Sequence, residues 1–401
     1  MKLNFKPRGW QKEALPLWLK NMSGVVSVVT GGGKTFFAFL AIQEVLKKYD
    51  NIHFVIIVPT EALLDQWYIG LIDDMGTNEN NISCFSGKEK PKKANLINII
   101  IINTARKKEI RNLFLNSPTM LIVDECHRSG SIENAKALNF SQIASLGLSA
   151  TPIRDYDNGF NELIKPKIGD IIYEYDYNKA YADGVICDFN LINIKTYFLE
   201  EEGIEYNKIS KRISILIGKI KKGLEKYDKL EKLLIQRSRV SSNSVNRVIA
   251  CLKLISTNPN KQTIIFCESI LHANTIYDYL KANKFMAGVY HSKIRPDIRR
   301  LNLKLYKRGV NKILITCKAL DEGLNAPNTD MAIIVSSTKS KRQRVQRLGR
   351  VLRTSDDKKK SIIYTIYITK EEQSILEREY DKLKEITSVS WKKIGNASKN
   401  I

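Results

Sequence analysis

The sequence predicts an α/β protein with two tandem cores, each a parallel sheet covered by helices on both faces. Short runs of β-branched and aliphatic residues alternate with helical patterns, the signature of buried parallel sheets. The alternation occurs twice along the chain. A length of 401 residues also matches about two domains at roughly 100 to 200 residues each.

In the first half the expected strands are Val25 to Thr30, His53 to Val58, Ile97 to Ile102, Met120 to Asp124 and Ser145 to Ser149, with helices starting near Lys34, Glu61 and Thr104. In the second half they are Thr263 to Cys267, Ala287 to Tyr290, Lys312 to Thr316, Met331 to Val335 and Ser361 to Ile368. Between the halves, apolar residues from Ile209 through Ile213, Ile217, Ile220, Leu224, Tyr227, Leu230 and Leu234 fall three or four apart, the spacing of an amphipathic helix. From Tyr206 to Lys261 there are 14 Lys and Arg against 3 Asp and Glu, so 11 of the chain's surplus positive charges lie in this stretch. A solvated helix face and a surface that guides a nucleic-acid strand are the two readings of it. The expected division is 1–155 for the first core, 156–205 as linker, 206–255 as basic helical connector, 256–370 for the second core and 371–401 as a helical tail. In that tail Leu376, Tyr380, Leu383 and Trp391 are expected to pack on the second core.

Lys and Arg number 65 against 42 Asp and Glu, a formal charge of +23. Hydrophobic residues at 43% and charged residues at 27% exclude a disordered or collagenous chain. So large a surplus must project a positive field, for which nucleic acid is the commonest polyanionic match; a membrane surface and plain solubility are the competing readings. Cys84, Cys126, Cys187, Cys251, Cys267 and Cys317 are scattered without CxxC spacing and read as reduced core thiols. With four histidines, none near a cysteine pair, a structural zinc cage is not expected. Apolar runs such as Phe54 to Val58 fall short of the ~20 residues of a bilayer span, and the amino terminus lacks an apolar signal core. The chain is expected to stay in its compartment of synthesis.

Thr30-Gly31-Gly32-Gly33-Lys34-Thr35 follows an expected strand and opens an expected helix. In that context the glycines leave backbone amides free to wrap a phosphate, Lys34 reaches the β and γ oxygens, and the Thr35 hydroxyl completes a Mg²⁺ shell. Val28 stands where the strict GxxxxGK[ST] pattern has its first glycine, and a glycine-rich turn without ligand is the competing reading. After the next apolar strand, Asp124-Glu125-Cys126-His127 puts two carboxylates at a strand's carboxyl end, where open α/β sheets bind ligands. Asp124 can hold Mg²⁺ through water and Glu125 can polarise a water that attacks the γ-phosphate. Ser149-Ala150-Thr151-Pro152 ends a further strand with two hydroxyls that could link this site to a neighbouring surface.

Taken together these residues resemble the superfamily 2 helicases and translocases. TGGGKT, DECH and SATP match motifs I, II and III in order; Val58-Pro59-Thr60 with Gln66-Trp67 matches motif Ia, Ile315 through Asp321-Glu322-Gly323 matches V, and Gln343 through Arg353 matches VI. The resemblance covers Phe5 to Ile368. It is closest to the group of XPB-type repair helicases, phage UvsW-type branch-migrating helicases and the motor subunits of type I and type III restriction enzymes. DEAD-box RNA helicases resemble it less, since their motif VI has histidine where this chain has Gln346.

The resemblance implies two tandem RecA-like (P-loop NTPase) domains that use ATP and Mg²⁺. By it, Arg8 and Gln11 contact adenine, while Gly31, Gly32, Gly33, Lys34 and Thr35 hold the triphosphate and its Mg²⁺. Arg350 and Arg353 act as arginine fingers, a contribution on the order of 10³ to 10⁵ in rate, with a merely basic helix face as the alternative. Gln346 and His127, with Ser149 and Thr151, couple the nucleotide to the rest of the motor. Gly323 lies near the ribose, although Asn325 replaces the acid usual two positions later. Thr60, Thr104 and Thr316 match positions that place hydroxyls and amides on strand phosphates; each also reads as a strand-end residue without ligand. Trp67, Phe266 and His291 read as core or positioning residues.

The expected activity is ATP-dependent translocation or remodelling of single-stranded or branched DNA, 3′ to 5′ by family analogy. An ATP-switched clamp, a motor subunit of a nuclease or restriction complex, and an RNA helicase are the alternatives. A nuclease or a repair or recombination protein is the expected kind of partner, a monomer is favoured, and the location is cytoplasmic or nucleoid-associated. The richness in Lys, Ile and Asn fits a viral or low-GC genome.

Overall fold

The computed structural model describes residues 3–29, 31–153, 157–184, 189–221, 227–317, 329–336, 361–383 and 387–395. The chain divides into two compact units, the first covering Met1–Ile186 and the second beginning at Cys187. Each is built on its own seven-stranded sheet.

The first unit contains α1 (Gly9–Asn21), β1 (Val25–Val28), α2 (Lys34–Leu46), β2 (His53–Val58), α3 (Glu61–Asp73), β3 (Ile82–Phe85), β4 (Ile97–Ile101), β5 (Thr119–Asp124), β6 (Ala144–Ser149) and β7 (Ile171–Tyr175). Its strands lie in the order β3-β4-β2-β5-β6-β1-β7, every neighbouring pair parallel. Every residue of β5 and β6 is buried, as a sheet covered on both faces requires. Helix α2 buries Phe37, Ala38, Phe39, Ala41, Ile42 and Val45 against the sheet. Because β5, β6 and β1 are adjacent, the segments leaving their carboxyl ends converge. Those segments carry Asp124-Glu125, Ser149 and the Gly31–Lys34 loop.

The second unit contains β8 (Phe189–Lys195), β9 (Thr263–Cys267), β10 (Ala287–Tyr290), β11 (Ile313–Cys317), β12 (Met331–Ile334), β13 (Ser361–Tyr367) and β14 (Ser388–Lys393). Their order is β10-β11-β9-β12-β13-β8-β14, again wholly parallel. Between β8 and β9 run helices Glu200–Lys221, Tyr227–Ser242 and Val245–Ser256, the first two packed on each other. Ile209, Ile213 and Leu216, spaced four and three apart, form their buried stripe.

The stretch 156–205, expected as a linker, adds β7 to the first sheet and β8 to the second. The tail, expected as a helix, is a helix at Lys370–Leu383 followed by strand β14. There Trp391 meets Tyr367 edge-on at 5.7 Å. Both differences are strand pairings between residues far apart in sequence, which local periodicity does not encode. Cys84, Cys126, Cys251, Cys267 and Cys317 are buried and in no disulfide, and Cys187 lies outside the described residues. Burial raises the Cys126, Cys251 and Cys267 thiols well above their ordinary range. Among the described residues no helix is long and apolar enough to cross a membrane.

Candidate functional site

The site lies at the carboxyl ends of β1, β5 and β6. After β1 the chain turns through Gly31 at φ 84° and Gly33 at φ 98°, a left-handed backbone that glycine adopts without a Cβ penalty. Gly33 is the N-cap of α2, and Lys34 and Thr35 open the helix. The first amides of any helix have no intrahelical acceptor and carry its partial positive charge, which suits an anion. A Cβ on Gly32 would stand 2.6 Å from Val28 Cγ1 and 2.9 Å from the Val29 carbonyl oxygen, so the turn admits no side chain there.

The loop's peptide orientation is imposed from α1. Arg8 Nη1 donates to the carbonyls of Gly31 at 3.2 Å and Gly32 at 2.9 Å. Trp10 Nε1 also donates to Gly32 O, and Gln11 Nε2 donates to Gly33 O, each at 2.9 Å. With three successive carbonyls drawn toward α1, the loop presents its amides elsewhere. Gln11 Oε1 in turn accepts from Arg8 N at 2.9 Å. Arg8 and Gln11, expected at the adenine, therefore sit on the loop itself. Trp10 has no assigned role in the sequence reading, because the need of its indole N–H for an acceptor follows from burial, which only the fold shows. The ring stacks on Tyr175 of β7 at 5.4 Å and on Phe37 of α2 at 5.5 Å, and Tyr175 lay in the supposed linker.

Lys34 Nζ stands 3.2 Å from Glu125 Oε1, with the two side chains 10% and 17% exposed. Asp124 is buried, and both of its oxygens are engaged: Oδ2 accepts from Trp67 Nε1 at 2.9 Å and Oδ1 from Glu125 N at 3.0 Å. Burial first, then the charge of Glu125, raises the Asp124 carboxyl above the ordinary range, while Lys34 and the Trp67 hydrogen bond oppose the shift. Glu125 has φ 49° and ψ 50°, a left-handed conformation unusual outside glycine that clusters at functional sites. Beyond it, His127 Nδ1 lies 3.0 Å from Ser149 Oγ and 3.5 Å from Glu125 Oε2. Ser149 Oγ also accepts from Thr151 N at 3.2 Å. The structure thus joins Lys34, Asp124, Glu125, His127, Ser149 and Thr151 in one network.

The predicted strand contacts are not part of it. Thr60 is the N-cap of α3, its hydroxyl accepting from Leu63 N at 3.3 Å. Thr104 is half-buried in the short helix Ile102–Ala105. Thr316, in the second unit, is buried with its hydroxyl donating to Ile265 O at 3.1 Å, so that hydroxyl is turned into the sheet. Phe266 and His291 are buried, His291 Nε2 lying 3.0 Å from Asn274 Oδ1. Thr30, Gly323, Gln346, Arg350 and Arg353 lie outside the described residues.

Chemically, an amide-lined turn, an ammonium, a hydroxyl and two carboxylates at adjacent strand ends form a donor set that fits a triphosphate with a hard divalent cation. The left-handed glycines and the absence of room for a Cβ at Gly32 are what such a cradle requires.

Comparison with known proteins gives a consistent result. Residues 4–154 match the family described as "Type III restriction enzyme, res subunit", and residues 245–355 match "Helicase conserved C-terminal domain". The chain is 24% identical to "Putative helicase 22" of Sulfolobus islandicus filamentous virus, over 90% of this chain and 64% of that one. It is 27% identical to "DNA 3'-5' translocase XPB2" of Sulfurisphaera tokodaii, over 87% and 79%. It is 23% identical to "DNA 3'-5' helicase XPB" of Mycobacterium tuberculosis, over 90% and 60%. Two of these three relatives extend well beyond the span that this chain matches. In fold it resembles S. cerevisiae Dbp5 bound to RNA and ADP BeF3, with a TM-score of 0.65 at 16% identity over 98% of this chain and 91% of that one. It also resembles the Pyrococcus furiosus Hef helicase domain, with a TM-score of 0.52 at 16% identity over 94% and 100%.

Proposed function

The chain belongs to the superfamily 2 helicases, and from that membership we propose that it hydrolyses ATP to translocate along or remodel DNA, in the 3′ to 5′ direction. The observation that carries this reading is the convergence of the Gly31–Lys34 loop, Asp124-Glu125 and His127–Ser149 at three adjacent strand ends. The relatives named as DNA 3′-5′ translocases and helicases support DNA as substrate and support the polarity.

In this reading the loop amides and Lys34 bind the β and γ phosphates, and Arg8, Trp10 and Gln11 hold the loop in its receiving conformation. Thr35 and Asp124 hold Mg²⁺, which when bound neutralises charge on the phosphate oxygens. Glu125 orients and deprotonates the attacking water. By the resemblance, Arg350 and Arg353 stabilise the transition-state charge as arginine fingers and Gly323 contacts the ribose. His127 reports the state of Glu125 to Ser149 and Thr151, the start of the path to the strand, together with Gln346. Strand phosphates are met by Thr60 and Thr104 and by the basic helices Glu200–Lys221 and Tyr227–Ser242, whereas Thr316, buried in β11 between β10 and β9, is left out.

ATP turnover measured without nucleic acid, then with single-stranded, duplex, forked and four-way-junction DNA and with RNA, tests the proposal. Stimulation by DNA that disappears in Lys34→Ala is expected. No stimulation by any nucleic acid, or Lys34→Ala turnover equal to wild type, removes it. Preferential stimulation by RNA replaces DNA as the substrate. Stimulated turnover without movement indicates a clamp.

A further inference from the structure

Two indole N–H groups enter the site from below, each seated by α2. Phe37 stacks on Trp10 at 5.5 Å, and Phe39 meets Trp67 edge-on at 5.6 Å. Trp10 donates to a carbonyl of the phosphate loop, and Trp67 donates to a carboxylate oxygen of Asp124. Trp67 lies on α3, which follows β2, the strand paired with β5 on the side away from β6. Its ring is 1% exposed, so no water competes for the N–H.

An aspartate at a strand end has two rotatable bonds and, once buried, few partners that fix them. Here the Glu125 amide holds Oδ1 and Trp67 holds Oδ2, one donor on each oxygen, which sets the plane of the carboxylate. Each oxygen keeps lone-pair capacity for a further donor, such as water in a cation's hydration shell. Mg²⁺ demands near-ideal octahedral geometry and usually keeps several waters, so a misaimed outer-sphere carboxylate costs affinity.

We propose that Trp67 is a positioning residue that aims the Asp124 carboxylate at the hydrated divalent cation, and that Trp10 performs the separate task of aiming the phosphate loop. The division of labour rests on the ATP-site reading above and adds to it a residue outside the metal-contacting set. It makes the two indoles distinguishable. Loss of the Trp67 N–H weakens only the magnesium-dependent part of nucleotide binding, whereas loss of the Trp10 N–H weakens nucleotide binding with or without magnesium.

The test uses the full chain and titrates ADP calorimetrically in EDTA and at a series of Mg²⁺ concentrations. Trp67 is changed to Phe and, in a second protein, replaced by benzothienylalanine, which keeps the bicyclic ring and substitutes sulfur for the N–H. Expected for both is a rise of about tenfold or more in the Mg²⁺ concentration that half-restores tight binding, with ADP affinity in EDTA unchanged. Trp10→Phe should lower affinity in EDTA as well. A Mg²⁺ midpoint equal to wild type in the benzothienyl protein overturns the proposal, as does equal weakening in EDTA, which marks a packing role only. Should wild type bind ADP without any magnesium dependence, the cation-site reading falls first and this assignment with it. A wild type that responds while the Trp67 proteins do not differ from it removes the positioning role alone.

Discussion

Lys34 Nζ and Glu125 Oε1 lie 3.2 Å apart, so the ammonium and the carboxylate neutralise each other. In the proposed function, a triphosphate entering the loop would compete with Glu125 for Lys34 and free the carboxylate for the attacking water. Nucleotide binding and assembly of the base would then be one event. Glu125→Gln should retain nucleotide binding, since Lys34 loses a competitor, while turnover falls by about 10² to 10⁴. Equilibrium binding and steady-state turnover on the same protein separate the two. Binding lost in parallel with turnover would contradict the exchange.

The glycine loop supports a second prediction. Gly33 has φ 98°, and a Cβ there would stand 2.9 Å from Gln11 Nε2, the donor that holds its carbonyl. Gly33→Ala therefore has either to keep the left-handed conformation, at about 1–2 kcal/mol, and displace Gln11, or to abandon that conformation. Either change turns the peptide. Affinity for nucleotide should drop at least tenfold, while the far-ultraviolet circular dichroism and thermal midpoint of the apo protein stay near wild type.

How far the sequence carries the reading depends on the kind of information involved. The ten expected strands fall on strands of the two sheets because buried parallel strands are continuous apolar runs, legible one at a time. Strand β7 has only Tyr175 fully buried, and β8 interrupts its apolar residues with Asn190 and Asn193. Glu174 cuts the apolar run of β7 short at Tyr173 and the asparagines break that of β8, and pairing with distant strands defines both. The site divides the same way. Lys34, Asp124, Glu125 and His127 follow from motif chemistry. Trp10 and Tyr175 act through a stack that joins α1 to an edge strand more than 150 residues away, and a linear pattern holds no trace of that contact.

The second unit is tied together by one buried guanidinium. Arg247 is 0% exposed; it donates to the carbonyls of Ser241, Val335 and Ile366 and pairs with both carboxylate oxygens of Glu372 at 2.6 and 2.8 Å. Glu372 Oε2 also accepts from Ile368 N and Thr369 N, capping the helix Lys370–Leu383. Glu372→Ala leaves a buried charge unmatched and removes that cap, and should destabilise the second unit by about 3–5 kcal/mol. Urea denaturation followed by far-ultraviolet circular dichroism, compared between wild type and variant, reads it. Arg247→Met combined with Glu372→Leu should lose less than the two single changes added together.

The same neighbourhood gives the second unit an acid limit. His272 Nε2 lies 3.0 Å from Asn243 O, and its Nδ1 is buried without a hydrogen-bond partner. Burial chiefly lowers its pKa below the ordinary 6.5; the hydrogen bond to the Asn243 carbonyl opposes it, Arg247 adds a smaller lowering and Glu202 a smaller raising effect. His291 is lowered as well, by burial and by Lys293. The unfolded chain takes up these protons near pH 6.5 and the folded chain only at lower pH. Stability is therefore full above 6.5 and is lost as pH falls through the folded values. The urea midpoint of the second unit should drop as the pH falls below about 6.5. His272→Gln should flatten that slope, and an unchanged slope would place the acid sensitivity elsewhere.

The basic helices test the nucleic-acid reading by electrostatics alone. Lys208, Lys211, Arg212 and Lys219 on the helix Glu200–Lys221, and Lys229, Lys232 and Arg239 on Tyr227–Ser242, are all exposed. Their spacing of three, four and seven residues places them in one stripe per helix. The apolar residues of the two helices pack on each other along a face beside each cationic stripe. Each phosphate contact on a single strand adds about 0.7 to the slope of log affinity against log salt. Changing Lys211, Arg212, Lys229 and Lys232 together to Glu should weaken single-stranded DNA binding at physiological salt. It should also shallow the slope by about 3 if all four meet phosphates, and leave DNA-independent ATP turnover at the wild-type rate. Fluorescence anisotropy across a salt series measures both quantities. A solvated face with no strand on it would leave the slope of the quadruple variant unaltered.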